Sequence, residues 1–152
     1  VLVSEAQDTL HLMNIALGIQ VKSEYPYSEM EVRSARLEPV DQKQMADLVL
    51  LKGKDLHAVF EFKRHDLKSE LEKDRYRMAE VVRQLPSVRA YQIVVLEGKR
   101  PKDLVTENGY ARKAVNKEKG YNWRVRRVCK ATSNLDDKDK ATYAIMIEVY
   151  CD

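Results

Sequence analysis

The chain has 152 residues, 44% apolar and 34% charged, with 27 Lys and Arg against 24 Asp and Glu for a net charge of +3. That length suits one domain, 1–152, with one core. The balance excludes a disordered tail, a coiled coil and a collagen-like chain, and no apolar run approaches the roughly 18 residues of a membrane span. Val1-Leu2-Val3-Ser4 has neither a basic n-region nor a cleavage pattern, so no signal peptide is expected. Cys129 and Cys151 lack metal-ligand spacing and read as free thiols of a reducing, cytoplasmic setting. His11, His57 and His65 form no zinc signature.

Ser4 to Leu17 reads as a helix, with Ser4 as N-cap, Glu5 and Asp8 in the first turns and Gly18 as the stop. Ile19 to Tyr27 reads as a strand that Pro26 brings to an edge or an end. Glu29 to Gln44 is polar and irregular, with a short strand around Glu31–Leu37 as one option. Asp47 to Leu51, the turn residues Gly53-Lys54-Asp55 and His57 to Lys63 form the strongest hairpin signal. From Asp66 to Leu85 the period becomes helical, with Leu67, Leu71, Met78, Val82 and Leu85 on one stripe and Pro86 closing it. Asp74 falls on that stripe, either paired with Arg75 or Arg77 or facing a site. Tyr91 to Leu96 reads as a strand, Gly109–Lys119 as helical, Trp123–Lys130 as a strand, Ser133 to Lys140 as a charged loop and Thr142 to Tyr150 as a last strand. This order indicates an α/β fold, a central mixed β-sheet flanked by helices.

Alternation along a strand puts Glu61 and Lys63 on one face and sends Phe60 and Phe62 to the other, into the core. If the hairpin loop has odd length centred on Lys54, paired residue numbers sum to 108 and Asp47 faces Glu61, with Cβ atoms roughly 5 Å apart. An even loop puts the two acids out of line. Two carboxylates at about 5 Å repel by roughly 3 kcal/mol at an effective dielectric of 20. A shared proton, Lys63 or a bound divalent cation would offset this. Oxygen ligands favour Mg2+, with Mn2+ as a substitute. Such an ion polarises a phosphoryl oxygen and acidifies a water, which Lys63 would orient, deprotonate or assist by charge. Acid-x-Lys occurs five times in the chain, but only 61–63 has both an apolar strand and an upstream acid at hairpin distance.

Ala46-Asp47-Leu48-Val49-Leu50-Leu51 followed by Ala58-Val59-Phe60-Glu61-Phe62-Lys63 resembles the core of the PD-(D/E)xK restriction-endonuclease-like superfamily. The resemblance covers about residues 4–97; the basic C-terminal part, 98–152, carries no motif of that family. It implies a restriction-endonuclease-like core in which Glu5 (with Asp8 as the alternative), Asp47 and Glu61 bind Mg2+. The Phe62 carbonyl is a further expected ligand, and Lys63 assists the attacking water. Ala46 stands where the family name has Pro. Gln84 matches part of a Gln-x-x-x-Tyr box, but position 88 is Val, and no cysteine quartet exists for an iron–sulfur subtype.

Between Gly98 and Lys130 eleven basic residues face three acidic ones, with Tyr110, Tyr121 and Trp123 interleaved. Cations beside aromatic rings suit phosphates and stacked bases. Lys99, Arg100, Arg112, Lys113, Arg124, Arg126 and Arg127 are the candidate nucleic-acid contacts. The expected function is a metal-dependent endonuclease, a hydrolase acting on DNA in preference to RNA, as a homodimer or as a module of a larger restriction, repair or defence assembly. The rival is a catalytically inactive nuclease-fold binding or scaffold module; a ribonuclease is a third reading.

Overall fold

A computed structural model describes residues 18–30, 44–64, 68–132 and 141–152. Its elements are β1 (Ile19–Pro26), a 3-10 turn (Tyr27–Met30), β2 (Met45–Lys52), β3 (Asp55–Arg64), α1 (Lys68–Gln84), β4 (Arg89–Gly98), β5 (Val115–Glu118), β6 (Tyr121–Thr132) and β7 (Ala141–Tyr150). The seven strands form one mixed sheet in the order β1-β2-β3-β4-β7-β6-β5. Only the β3/β4 pair is parallel, and α1 is the crossover between its strands. Every other neighbouring pair is antiparallel. The α/β class and the mixed sheet match the expectation; one helix lies among the described residues. The helix expected at Ser4–Leu17, the strand option near Glu31–Leu37 and the loop Ser133–Lys140 fall outside the described residues.

α1 packs on one face of the sheet because its apolar positions recur at helical spacing. Leu71, Met78, Ala79, Val81 and Val82 are buried. Val81 shares a core cluster with Val49 and Val59, Met78 and Val82 share one with Ala90 and Val149, and Leu71 shares one with Val94 and Ile145. Each of the Leu, Met and Val side chains contributes roughly 1.5–3 kcal/mol through burial. Met78 is a core filler, as its place on the stripe suggests. The helix ends before Pro86, whose ring cannot continue it.

Three local expectations need correction. First, Gly109–Lys119 is not helical. Val115–Glu118 is a strand that pairs with Tyr121–Arg124 around Lys119-Gly120. Gly120 has φ 90, a turn conformation that a helix interior does not contain. Second, the β2–β3 turn has two residues, Gly53 and Lys54, because Lys52 pairs with Asp55. Gly53 has φ 65 at the first turn position, where a type II′ hairpin uses glycine. That even turn alone puts the acids out of line. A bulge then intervenes: Leu51 pairs with Leu56 but Leu50 pairs with Ala58, which leaves His57 as the extra residue. From there the pairing runs through Leu48↔Phe60, and its next step sets Asp47 beside Glu61. Third, the apolar core lies on the face of Asp47, Glu61 and Lys63, beneath α1, together with Val49 and Val59. Phe60 and Phe62 point to the opposite face and are half-buried, with Phe60 stacked on Tyr91 at 5.3 Å between ring centroids.

Candidate active site

Asp47 and Glu61 come together as the hairpin register requires. The Phe62 amide donates a hydrogen bond to Asp47 Oδ2 at 2.6 Å, which fixes the carboxylate against β3. Opposite Asp47 on the outer strand, the β1–β2 ladder skips from Ser23↔Leu48 to Tyr25↔Ala46. The skipped residue, Glu24, has φ 50, the one non-glycine residue in the left-handed region among those described. Such a conformation costs of order 1–3 kcal/mol and is held by its surroundings.

Glu61 is 2% exposed. The Tyr27 hydroxyl donates to Glu61 Oε1 at 2.5 Å. Burial, then the charges of Asp47 and Asp74, raise the Glu61 carboxyl to about 8, while the Tyr27 hydrogen bond and Arg77 oppose the rise. Burial and the same carboxyl push the Tyr27 phenol well above its ordinary range. The expected repulsion is thus relieved largely by a proton held on Glu61 at neutral pH. Tyr27 is a residue the sequence did not single out. It reaches Glu61 from the 3-10 turn after β1, and no local spacing signals that long-range contact.

Lys63 lies on the same face as Glu61, but its Nζ sits 3.2 Å from Asp74 Oδ2 rather than between the two acids. Asp74, 2% exposed on α1, also takes a guanidinium hydrogen bond from Arg77. Both readings of Asp74 therefore hold: it is paired with Arg77, and it faces the site. Burial works against the Lys63 charge. Asp74 outweighs it, with help from Glu61 and Asp47, and the amine is held above the ordinary lysine range. Lys63 is accordingly a cation across the physiological range and is poorly suited to accept a proton from water. Beside Glu61 on β4 sits Gln92, fully buried. It accepts from Arg75 at 3.2 Å and donates to the Leu71 carbonyl at 3.1 Å, tying α1 to the row of the acids.

The donor set suits a small hard cation. Asp47 and Glu61 supply carboxylate oxygens on one face, and burial is the main reason that Glu61 keeps its proton. Glu5 and Asp8 lie outside the described residues. Among the described residues no group of three or more His, Cys, Asp and Glu side chains is arranged to hold a metal ion. The described part of the expected set is therefore two carboxylates, Asp47 and Glu61.

The candidate nucleic-acid contacts divide in two. Arg100 donates to the Val105 carbonyl at 2.8 Å and Arg112 to the Lys102 carbonyl at 2.5 Å, so both brace the segment between β4 and β5. Lys99 is exposed at its start. Lys113, Arg124, Arg126 and Arg127 instead line one cavity. No helix among the described residues is long and apolar enough to cross a membrane. Comparison with protein-family models, curated proteins and solved structures finds no match to this chain.

Proposed function

We propose that the chain is a divalent-metal-dependent nuclease with a restriction-endonuclease-like core, hydrolysing phosphodiester bonds in DNA in preference to RNA. The observation that carries this reading is the convergence, on one sheet face, of Asp47, Glu61 and the cationic Lys63. Mg2+ or Mn2+, when bound, supplies Lewis-acid activation of a phosphoryl oxygen and of a water. The Phe62 amide orients Asp47 as a ligand. Glu61 gives up its proton to serve as the second. Lys63, anchored by Asp74, puts a fixed positive charge where negative charge builds up on the phosphoryl group during attack. Its raised pKa supports electrostatic assistance over general-base work. Basic side chains of the C-terminal part hold the phosphate backbone.

One observation favours the rival reading, a binding or scaffold module that has lost catalysis: the Glu61 carboxyl is buried and sealed by Tyr27, as a structural acid would be. Plasmid and oligonucleotide cleavage in Mg2+, Mn2+ or EDTA separates the two, with Asp47→Ala and Lys63→Ala in parallel. The nuclease reading expects metal-dependent cleavage that falls at least about a hundredfold in either variant. Cleavage that survives both substitutions rejects the site. Binding without cleavage in every metal supports the scaffold. An RNA arm in the same panel tests the ribonuclease alternative.

A further inference from the structure

β6 carries Arg124-Val125-Arg126-Arg127-Val128, which cannot alternate cleanly with both valines on the core face. The strand solves this with a second bulge: Val125 pairs with Ile147 and Arg127 with Met146, leaving Arg126 as the extra residue. A bulge turns the added side chain without disturbing the alternation on either side. Val125 and Val128 both stay in the core cluster under α1, and three arginines are crowded outward. β5 pairs only with Tyr121–Arg124, so beyond Arg124 no strand covers this side of β6 among the described residues.

Along that uncovered edge lies a cavity of about 600 Å³ lined by Tyr110, Lys113, Arg124, Arg126 and Arg127 among others, and by no acidic side chain. The charge there is organised. Glu148, 3% exposed on β7, receives Arg124 at 2.8 Å, Arg126 at 3.5 Å and Arg89 at 3.7 Å. One buried carboxylate thus aligns three guanidinium groups and neutralises only one. Lys113 and Arg127 have no ion-pair partner among the described residues.

Tyr110 is 72% exposed. Its backbone is tied down: its amide donates to Thr106 Oγ1 at 3.0 Å, the Thr106 amide donates to its carbonyl at 2.8 Å, and Val105 bridges to Ala111. Cations and a bulge on an edge also deter strand pairing between molecules, but that purpose has no use for a solvent-facing ring on a hydrogen-bonded turn. A charged groove with an exposed aromatic ring beside it is the arrangement that takes unpaired bases, because stacked bases in a duplex offer their faces to each other. We infer that this cleft binds single-stranded nucleic acid, with Tyr110 stacking on a base and Lys113, Arg124, Arg126 and Arg127 holding the adjacent phosphates. The inference deepens the nuclease reading and names its substrate class as a single strand or a duplex with a single-stranded portion. Glu61 shares the α1 face of the sheet with Gln92, Ile147 and Val125, whereas Arg124 lies in the row of Glu148, Tyr91 and Phe60 on the opposite face, so a strand held by the arginines reaches the acids only around an edge of the sheet.

The experiment is fluorescence anisotropy with labelled 12-nucleotide single-stranded DNA, single-stranded RNA and duplex DNA of one sequence, in EDTA so that nothing is cut. The expected result is tighter binding of the single strand by about tenfold or more. For four phosphate contacts the log–log salt slope should be about −3. Tyr110→Ala should weaken the single-strand complex about tenfold and the duplex complex less than twofold. Lys113→Gln with Arg127→Gln should halve the slope to about −1.4. Lys54→Gln, on the exposed β2–β3 turn, should leave all of these unchanged, and circular dichroism confirms that each variant is folded. The DNA and RNA arms decide the sugar. Duplex binding equal to or tighter than single-strand binding overturns the inference, as does a Tyr110→Ala protein with parental affinity. In either case metal-dependent cleavage in the plasmid assay leaves the nuclease reading standing. Single-strand binding without cleavage in any metal upholds the cleft and removes the nuclease.

Discussion

Replacing Glu61 by Gln tests the acid cluster without reference to any substrate. The carboxyl is raised from 4.5 to about 8 in the folded chain. Between those values the folded protein holds a proton that the unfolded chain has released, so stability falls as pH rises. The stabilising contribution is complete below about pH 4.5 and is lost as pH passes through about 8. The slope is about 1.4 kcal/mol per pH unit, or up to about 5 kcal/mol over the whole interval, a large share of the 5–15 kcal/mol by which ordinary domains are stable. Gln has the shape of the protonated acid and no charge. Glu61→Gln should therefore flatten the decline between pH 5 and 8 and be the more stable protein at pH 8. Urea unfolding at pH 5, 6.5 and 8 in EDTA measures both effects. Millimolar Mg2+ should restore part of the parental stability at pH 8 and have little effect on the Gln variant, because ligand binding stabilises only the state that binds. A Gln variant with the parental pH slope, or one less stable at pH 8, refutes the account of a proton held on a buried carboxyl beside two others.

Four further outcomes follow from the same contacts. Tyr27→Phe leaves Glu61 Oε1 without its donor and should cost about 1–3 kcal/mol in urea unfolding at pH 7. Asp74→Asn removes the counter-charge of Lys63 and Arg77, so it should destabilise by about 3 kcal/mol and lower the pKa of Lys63 as read by NMR of its ammonium group. Glu148→Gln leaves three arginines facing one another; the expected loss of about 3 kcal/mol should shrink in 0.5 M salt, which screens their repulsion. Glu24→Gly relieves a left-handed backbone and should raise stability by about 1 kcal/mol, measured by thermal unfolding.

Much of this was legible from spacing alone. Apolar β2 and β3 flank turn residues, the helical stripe from Leu71 to Val82 is unbroken except at Asp74, and that misplaced charge pointed to a polar contact under the helix. The register of Asp47 with Glu61 was legible only by its result. The turn is one residue shorter than read, and the bulge at His57 makes up the difference. A bulge depends on packing across the sheet, so a histidine in a strand gives no sign of it. The segment 109–119 misled because charged residues satisfy helical and strand periods alike; the glycine at 120 carried the turn signal. Tyr27 and Gln92 were hidden for another reason. Each meets its partner across the sheet or the helix, and a one-dimensional pattern holds no record of that distance.

The single parallel seam between β3 and β4 has a consequence of its own. It divides the molecule into two antiparallel wings, each written in a separate stretch of chain: the acids and their tyrosine before the seam, the arginines and the exposed ring after it. Residues 99–132 can thus be rewritten with the cluster of acids on the first wing left as it is, much as a tool accepts a new handle.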